Sequence, residues 1–219
     1  SFALLGYTNS GKSTLLKQMT KATDVLIQDQ VFATLAPTTR RVFLPNGPEA
    51  VLTDTVGFIR DLPPQLIEAF KATLEETTEA DILIHVIDLA APNMTQQIET
   101  VNQLIKEFGW QDKPIIHVYN KVDIAPTEKK FSVKSPGPRV FVSAKTGEGL
   151  QRLTQVMTDM IQAQSENVEL YFPHGEEEKI FELNRETIIS RKERASQGTI
   201  CYAQLTPYLL NRWREYLVV

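Results

Sequence analysis

The sequence predicts an α/β fold, a mostly parallel sheet with helices on both faces, followed by a smaller α+β unit. Three observations predict it. Apolar runs at residues 2–5, 82–87 and 114–119 show almost no polar alternation, the pattern of strands buried on both faces. Helix-period segments separate such runs, which is the grammar of parallel strands joined by crossover helices. From residue 165 onward the grammar changes to short alternating strands with two helices between them. The domains are therefore placed at residues 1–163 and 164–219.

The first strand begins almost at residue 1, so the chain is expected to be a piece truncated at its N-terminus. Gly6-Tyr7-Thr8-Asn9-Ser10-Gly11-Lys12-Ser13-Thr14 follows that strand and opens into a helix carrying Leu15, Leu16 and Met19. Residues 29–41, with Phe32-Ala33-Thr34 inside them, keep no steady period and read as a mobile loop. Residues 41–44 and 51–54 flank Pro45-Asn46-Gly47-Pro48, a hairpin signal. The second of these strands ends in Asp54-Thr55-Val56-Gly57. Pro63-Pro64 suit the first turn of a helix whose face is marked by Leu66, Phe70 and Leu74.

After the strand at residues 82–87, Asn93 is placed as the cap of a helix with Ile98, Val101, Ile105 and Phe108 on one side, stopped at Gly109. The next strand delivers Asn120-Lys121-Val122-Asp123. Residues 124–138 are Lys- and Pro-rich, so any helix there is short. Residues 139–142 deliver Ser143-Ala144-Lys145, and Leu150, Leu153, Met157 and Met160 trace an amphipathic helix. In the second part, Val168, Leu170 and Phe172 alternate as a strand, and Glu176, Glu177 and Glu178 lead a helix with acids at its positive end. Strands near 187–194 and 199–205 follow, then a helix opened by Thr206-Pro207. Residues 217–219 are placed as the start of a final strand. The order β-α-β-β-α-(β) is the split, ferredoxin-like one.

Composition bounds the function classes. Hydrophobic residues are 42% and charged ones 23% of 219, ordinary for a globular protein. The single cysteine, Cys201, excludes an internal disulfide framework and suits a reducing compartment; its apolar surroundings predict a buried structural thiol. No apolar run approaches the ~20 residues a bilayer requires, and no signal peptide precedes Phe2, so a cytoplasmic monomer without a membrane anchor is expected. A net charge of −4 argues against DNA or RNA binding driven by bulk charge, and residues 165–219 carry seven Lys/Arg against nine Asp/Glu. His85 and His117 sit inside apolar strands and are read as hydrogen-bonded core residues. With His174 remote, no metal cluster of His and Cys is expected.

The chemistry lies in four signals at strand ends. Strand, glycine loop and helix around GxxxxGK[ST] form a phosphate site: glycines let backbone N–H groups turn inward, and the positive end of the helix favours anionic charge. In that arrangement Lys12 reaches the β- and γ-phosphates and Ser13 holds Mg²⁺. Asn120-Lys121-x-Asp123 alone is an ordinary surface tetrapeptide. After a buried strand, and with the loop already in place, it reads as a guanine site. The Asp123 carboxylate can accept from both N1–H and the 2-amino group of guanine. Adenine offers neither donor there, and a site with buried polar groups rejects such a ligand by up to ~10⁴ or more. Asn120 contacts the base and braces the phosphate loop, the Lys121 stem covers the ring, and the Ala144 N–H, between Ser143 and Lys145, meets the guanine oxygen.

The order of these signals resembles the P-loop GTPases. The spellings GYTNSGKST, FATLAPTTR and DTVGFIRDLPPQLIEAFKATLEET resemble the HflX family of ribosome-associated GTPases over residues 2–163, and the tail is similar to that family's small C-terminal domain. The family's N-terminal region is absent from this chain. The resemblance implies GTP and GDP as ligands, Mg²⁺ as cofactor and the large ribosomal subunit as partner, in subunit dissociation or stress rescue. By position, Thr34 matches the first switch threonine, a Mg²⁺ ligand and γ-phosphate sensor beside Phe32 and Ala33. Thr38 and Thr39 are rivals, though the Phe-x-Thr spelling favours Thr34. Asp54 holds Mg²⁺ through water, and Gly57, after Thr55 and Val56, contacts the γ-phosphate through its N–H. Lys12, Thr34 and Gly57 are thus the catalytic set.

Phe58 departs from the commoner pattern, in which a glutamine after this glycine orients the attacking water. Slow intrinsic hydrolysis, accelerated by a partner, is expected. Asn9 matches an asparagine that helps some glutamine-lacking GTPases bind K⁺, with an ordinary loop hydrogen bond as the alternative. Arg40, Arg41 and Arg60 are candidates for an internal arginine finger or for ribosomal RNA contact, and solvated surface arginines are the simpler reading. Two other function classes stay open: a nucleotide-gated binding module with negligible hydrolysis, and a GTPase in RNA modification.

Overall fold

The computed structural model describes residues 1–21, 38–44, 49–54 and 80–218. Contacts group the chain into two compact units, Ser1–Val42 with Val51–Val156, and Phe43–Ala50 with Met157–Val219.

The larger sheet has six strands in the order β2-β3-β1-β4-β5-β6. They are β1 (Phe2–Leu5), β2 (Thr38–Phe43), β3 (Glu49–Asp54), β4 (Ile82–Asp88), β5 (Ile115–Asn120) and β6 (Arg139–Phe141). β1 runs parallel to β3 and β4, β4 to β5, and β5 to β6. Its helices are α1 (Lys12–Lys21), α2 (Met94–Glu107), the short α3 (Thr127–Ser132) and α4 (Leu150–Gln164). All of β1 is buried, as its unbroken apolar run requires. Ala3, Leu5 and Leu83 pack with Val101, Leu104, Ile105 and Trp110, the last stacked on Phe108 at 4.9 Å. A second cluster joins Ile87 and Leu89 to Tyr119, Val122 and Val133.

Because the strands are parallel, their carboxyl ends share one edge. There the chain leaves β1 into Gly6, β3 at Asp54, β4 at Asp88, β5 at Asn120, and β6 just before Ser143. Ligands of open α/β sheets bind at this edge.

Several local expectations need correction. Residues 38–41, read as part of a mobile loop, belong to strand β2, and Thr39 Oγ1 lies 3.1 Å from Thr53 Oγ1 across the ladder. β-branched threonines fit a pleated edge strand, a preference that the missing apolar alternation masked. Asn93 does occupy the cap position of α2 but makes no capping bond; its Oδ1 accepts from Gln97 Nε2 at 3.0 Å instead. The turn at 45–48, the helix marked by Leu66, Phe70 and Leu74, and most of the passage at 29–41 lie outside the described residues.

The second unit holds a three-stranded antiparallel sheet, order β7-β9-β8, from β7 (Glu166–Pro173), β8 (Ile189–Ala195) and β9 (Gly198–Leu205). Its helices are α5 (Glu177–Glu186) and α6 (Pro207–Arg212), followed by a 3₁₀ turn over Arg214–Tyr216. The expected ferredoxin-like sheet has four strands. Among the described residues the fourth place holds a single bridge, Leu217 to Leu170. Thr206 caps α6 through its side chain, which accepts from Leu209 N–H, with Pro207 in the first turn. Phe172, Trp213 and Tyr216 form an aromatic cluster in the core, where Cys201 is fully buried as expected. Trp213 Nε1 donates to Glu186 and Tyr216 Oη to Glu176, so both polar tips find acceptors on or beside α5. Arg191, Lys192 and Arg194 are exposed on β8; Arg191 pairs with Glu193 and lies over the Tyr202 ring.

Candidate functional site

The glycine loop is built around close approaches. Gly11 has φ +98°, and a β-carbon there would run into the Asn120 side-chain amide. At Gly6 a β-carbon would meet the Val86 carbonyl oxygen. Glycine is required at both places because neighbouring strands press against the loop. Asn9, at φ +62°, takes the left-handed conformation that asparagine tolerates better than most residues. Ser10 is buried, and its Oγ has no hydrogen-bond partner.

Lys12 begins α1 and folds back over the loop. Its Nζ donates to the Gly6 carbonyl at 2.9 Å and the Tyr7 carbonyl at 3.3 Å. Burial pulls its pKa down to about 8, against the opposing pull of Asp54. Asp54, at the end of β3, is half-buried. Burial pushes its carboxyl above the usual range, while a hydrogen bond from Ser13 and the Lys12 charge act the other way. Asp54 Oδ1 is buried without a partner. A hydroxyl and an unsatisfied carboxylate oxygen beside an ammonium form an oxygen donor set of the kind Mg²⁺ takes. Thr8 and Ser13 through Thr14 occupy the loop and first turn as the motif requires; Ser13 and Thr14 are exposed.

Asn120 joins the loop to the other two segments. It is 2% exposed; its Nδ2 donates to the Ser10 carbonyl at 2.9 Å and its Oδ1 accepts from Ala144 N–H at 2.9 Å. The bracing role expected of Asn120 is present. The Ala144 N–H, expected to face a guanine oxygen, is directed at Asn120 instead, because a buried amide oxygen needs a donor. Ser143 is fully buried, its Oγ accepting from Thr146 N–H, while Lys145 and Asp123 are exposed. Lys121 has φ +66°, a strained conformation for a residue with a β-carbon. Its Nζ pairs with Asp88 Oδ2 at 2.7 Å. Asp88 was missed in the sequence, although an acid ending the apolar run at 82–87 matches the placement of Asp54 on β3.

His85 and His117 stand opposite each other on β4 and β5, ring centroids 5.8 Å apart. They were expected to be hydrogen-bonded: His117 has a hydrogen bond with the Pro138 backbone, while the Nδ1 atom of each ring is buried without a partner. Burial, with His117 and Lys12 adding to it, lowers the His85 pKa to about 3, so the ring is neutral. Arg40 and Arg41 lie on β2. Phe32, Ala33, Thr34, Thr55, Val56, Gly57, Phe58 and Arg60 lie outside the described residues. Among the described residues no group of three His, Cys, Asp or Glu could hold a metal, and no helix is long and apolar enough to cross a membrane.

Known proteins resemble this chain in sequence and in fold. The family model described as 50S ribosome-binding GTPase matches residues 1–121. GTPase HflX of Chlamydia pneumoniae is 43% identical over 220 residues, covering 99% of this chain and 46% of that protein. GTPase HflX of Escherichia coli (strain K12) is 43% identical over 178 residues, covering 80% of this chain and 41% of that protein. The chain spans about half the length of the curated relatives it matches. Among solved structures, a GTP-binding protein from Sulfolobus solfataricus in complex with GDP matches with TM-score 0.58 and 30% identity, over 73% of this chain and 51% of that one. Era in complex with MgGDPNP and a segment of 16S ribosomal RNA matches with TM-score 0.52 and 25% identity, over 72% of this chain and 55% of that one. With the family model spanning more than half of the sequence and HflX proteins aligned along nearly all of it, the chain belongs to the HflX family of P-loop GTPases.

Proposed function

We propose that this chain binds guanine nucleotides and hydrolyses GTP to GDP and phosphate, as a nucleotide-controlled switch acting on the large ribosomal subunit. The observation that carries the nucleotide reading is the double tether of Asn120. One side chain joins the loop suited to phosphates to the segments carrying Asp123 and Ala144, so a phosphate end and a purine end belong to one site. Lys12 supplies positive charge for the β- and γ-phosphates, exchanging its loop carbonyls for phosphate oxygens. Asp123 selects guanine through N1–H and the 2-amino group, and Ala144 N–H meets the purine oxygen by turning part of its hydrogen bond away from Asn120.

Ser13 and Asp54 fit Mg²⁺, with Thr34 as the third proposed ligand. The bound ion would neutralise charge on the phosphates in the transition state. Gly57 N–H would contact the γ-phosphate and Thr34 would sense it, so catalysis is mostly positioning and charge neutralisation. Phe58 can neither donate nor accept a hydrogen bond to water, so intrinsic turnover is slow and a partner accelerates it. K⁺ beside Asn9 extends the proposal; equal GTPase rates in KCl and NaCl end that extension.

Titration calorimetry with Mg²⁺ tests the core: GDP binds far more tightly than ADP, and equal affinities refute the reading. For the ribosomal role, the family description is the support. Full-length protein should turn over GTP at least about tenfold faster with large subunits added, about 1.4 kcal/mol of barrier; no stimulation counts against it. Phe58 also favours a second reading, a nucleotide-gated binding module that scarcely hydrolyses GTP, which single-turnover hydrolysis separates from the first.

A further inference from the structure

We propose that Asp88 is a positioning residue for nucleotide recognition: its carboxylate anchors Lys121 so that the lysine stem forms a fixed platform for one face of the purine ring. This deepens the guanine-nucleotide reading above and rests on it. Asp88 ends β4 in register with Asn120 at the end of β5. Its two oxygens do different work. Oδ1 accepts from Ala90 N–H at 2.9 Å, which sets the plane of the carboxylate, and Oδ2 takes Lys121 Nζ at 2.7 Å. Leu89 N–H donates to the Asn120 carbonyl at 3.0 Å, so the segments after β4 and β5 are tied by backbone as well.

Lys121 is held at its other end too. Its left-handed backbone persists inside a turn whose Ile124 and Ala125 N–H groups both donate to the Lys121 carbonyl, at 3.2 and 3.1 Å. Strained backbone survives where its surroundings over-determine it, and such positions cluster at ligand clamps. With Cα and Nζ both fixed, the methylene stem between them has a set course, two residues before Asp123. The pair is partly open to solvent, with side chains 31% and 17% exposed. Ion pairs of that exposure contribute little to folding. What this one removes is the rotamer freedom of a long side chain, a gain that counts when a ligand must meet the stem.

The test uses the whole chain as wild type, Asp88→Asn, Asp88→Glu, Lys121→Ala and the Asp88→Asn/Lys121→Ala double variant. Each is titrated with GDP, inosine diphosphate and inorganic tripolyphosphate in Mg²⁺. Wild-type uptake of GDP reports on the guanine reading itself; a chain that takes up none overturns that reading and this one with it. The variant ratios report on Asp88. Asp88→Asn should weaken GDP and inosine diphosphate by the same factor, about tenfold, because the stem meets the ring rather than the 2-amino group. Tripolyphosphate affinity and melting temperature should stay at wild-type values. Asp88→Glu should recover part of the loss, and the double variant should bind no more weakly than Lys121→Ala. Unchanged GDP affinity in Asp88→Asn, an equal loss of tripolyphosphate, or additive losses in the double variant would each overturn the proposal.

Discussion

Truncating Asn120 to alanine strands two groups at once: the Ser10 carbonyl loses its amide donor and Ala144 N–H loses its acceptor. Each unsatisfied buried group costs about 1–3 kcal/mol, so the pair amounts to roughly 2–6 kcal/mol. Water entering the space left behind lowers that toward about 3 kcal/mol, still a large part of the 5–15 kcal/mol typical of a domain. Asn120→Asp separates hydrogen bonding from packing. It has nearly the same shape and keeps an oxygen for Ala144 N–H, yet it sets an anionic oxygen against the Ser10 carbonyl. The cost should at least equal that of alanine. Urea unfolding followed by Trp110 fluorescence measures this, in a background where Trp213, the other of the two tryptophans, is replaced by Phe. Trp110 is buried in the first unit, so the signal reports that unit alone. An Asn120→Asp variant within about 0.5 kcal/mol of wild type at pH 7 would refute the keystone argument.

Four further outcomes follow from the same geometry. Nucleotide phosphates should restore the Lys12 proton, so binding at pH 9 takes up close to one proton and binding at pH 6.5 takes up none; calorimetry in buffers of different ionisation enthalpy reads the difference. In the free chain the folded lysine loses its proton near pH 8, before the unfolded one at 10.5, so this group makes stability rise with pH across that window while nucleotide affinity falls. His85 stays neutral down to about pH 3 when folded, whereas the unfolded side chain protonates below 6.5. Stability should therefore fall as pH drops through that interval, by up to about 1.4 kcal/mol per unit, and the difference between wild type and His85→Gln in urea midpoint should shrink between pH 7 and 5. Gly11→Ala should cost about 1–3 kcal/mol in the same unfolding assay and weaken GDP, since the methyl group displaces Asn120; wild-type stability would mean the loop is looser than its contacts indicate.

Much of this was legible in the residues because the signals were local and strong. β1 and β4 announce themselves as unbroken apolar runs, and Gly6 to Ser13 carries its own loop and helix. Harder to read were features that depend on pairing. Strand β2 has Thr38, Thr39 and Arg40 where an apolar alternation would have marked it, and its place beside β3 supplies the ladder that composition did not advertise. Asp88 acquires its partner from the turn that follows β5, 33 residues away, so no spacing rule exposes it. That His85 and His117 face each other is likewise set by register, which a single strand does not encode. Ala144 shows the converse: its segment is marked by the strand before it, but only the three-dimensional neighbour decides where its N–H points.

Gathering Gly6, Asp54, Asp88, Asn120 and Ser143 along one border has a temporal consequence. These positions emerge far apart during synthesis, and each one after Gly6 reaches the border only when its strand has docked beside an earlier one. A nascent chain halted before β6 would own an intact glycine loop yet lack the Ala144 amide that orients Asn120. On the proposed function, discrimination between bases would follow only once β6 has been zipped onto the far border of the sheet.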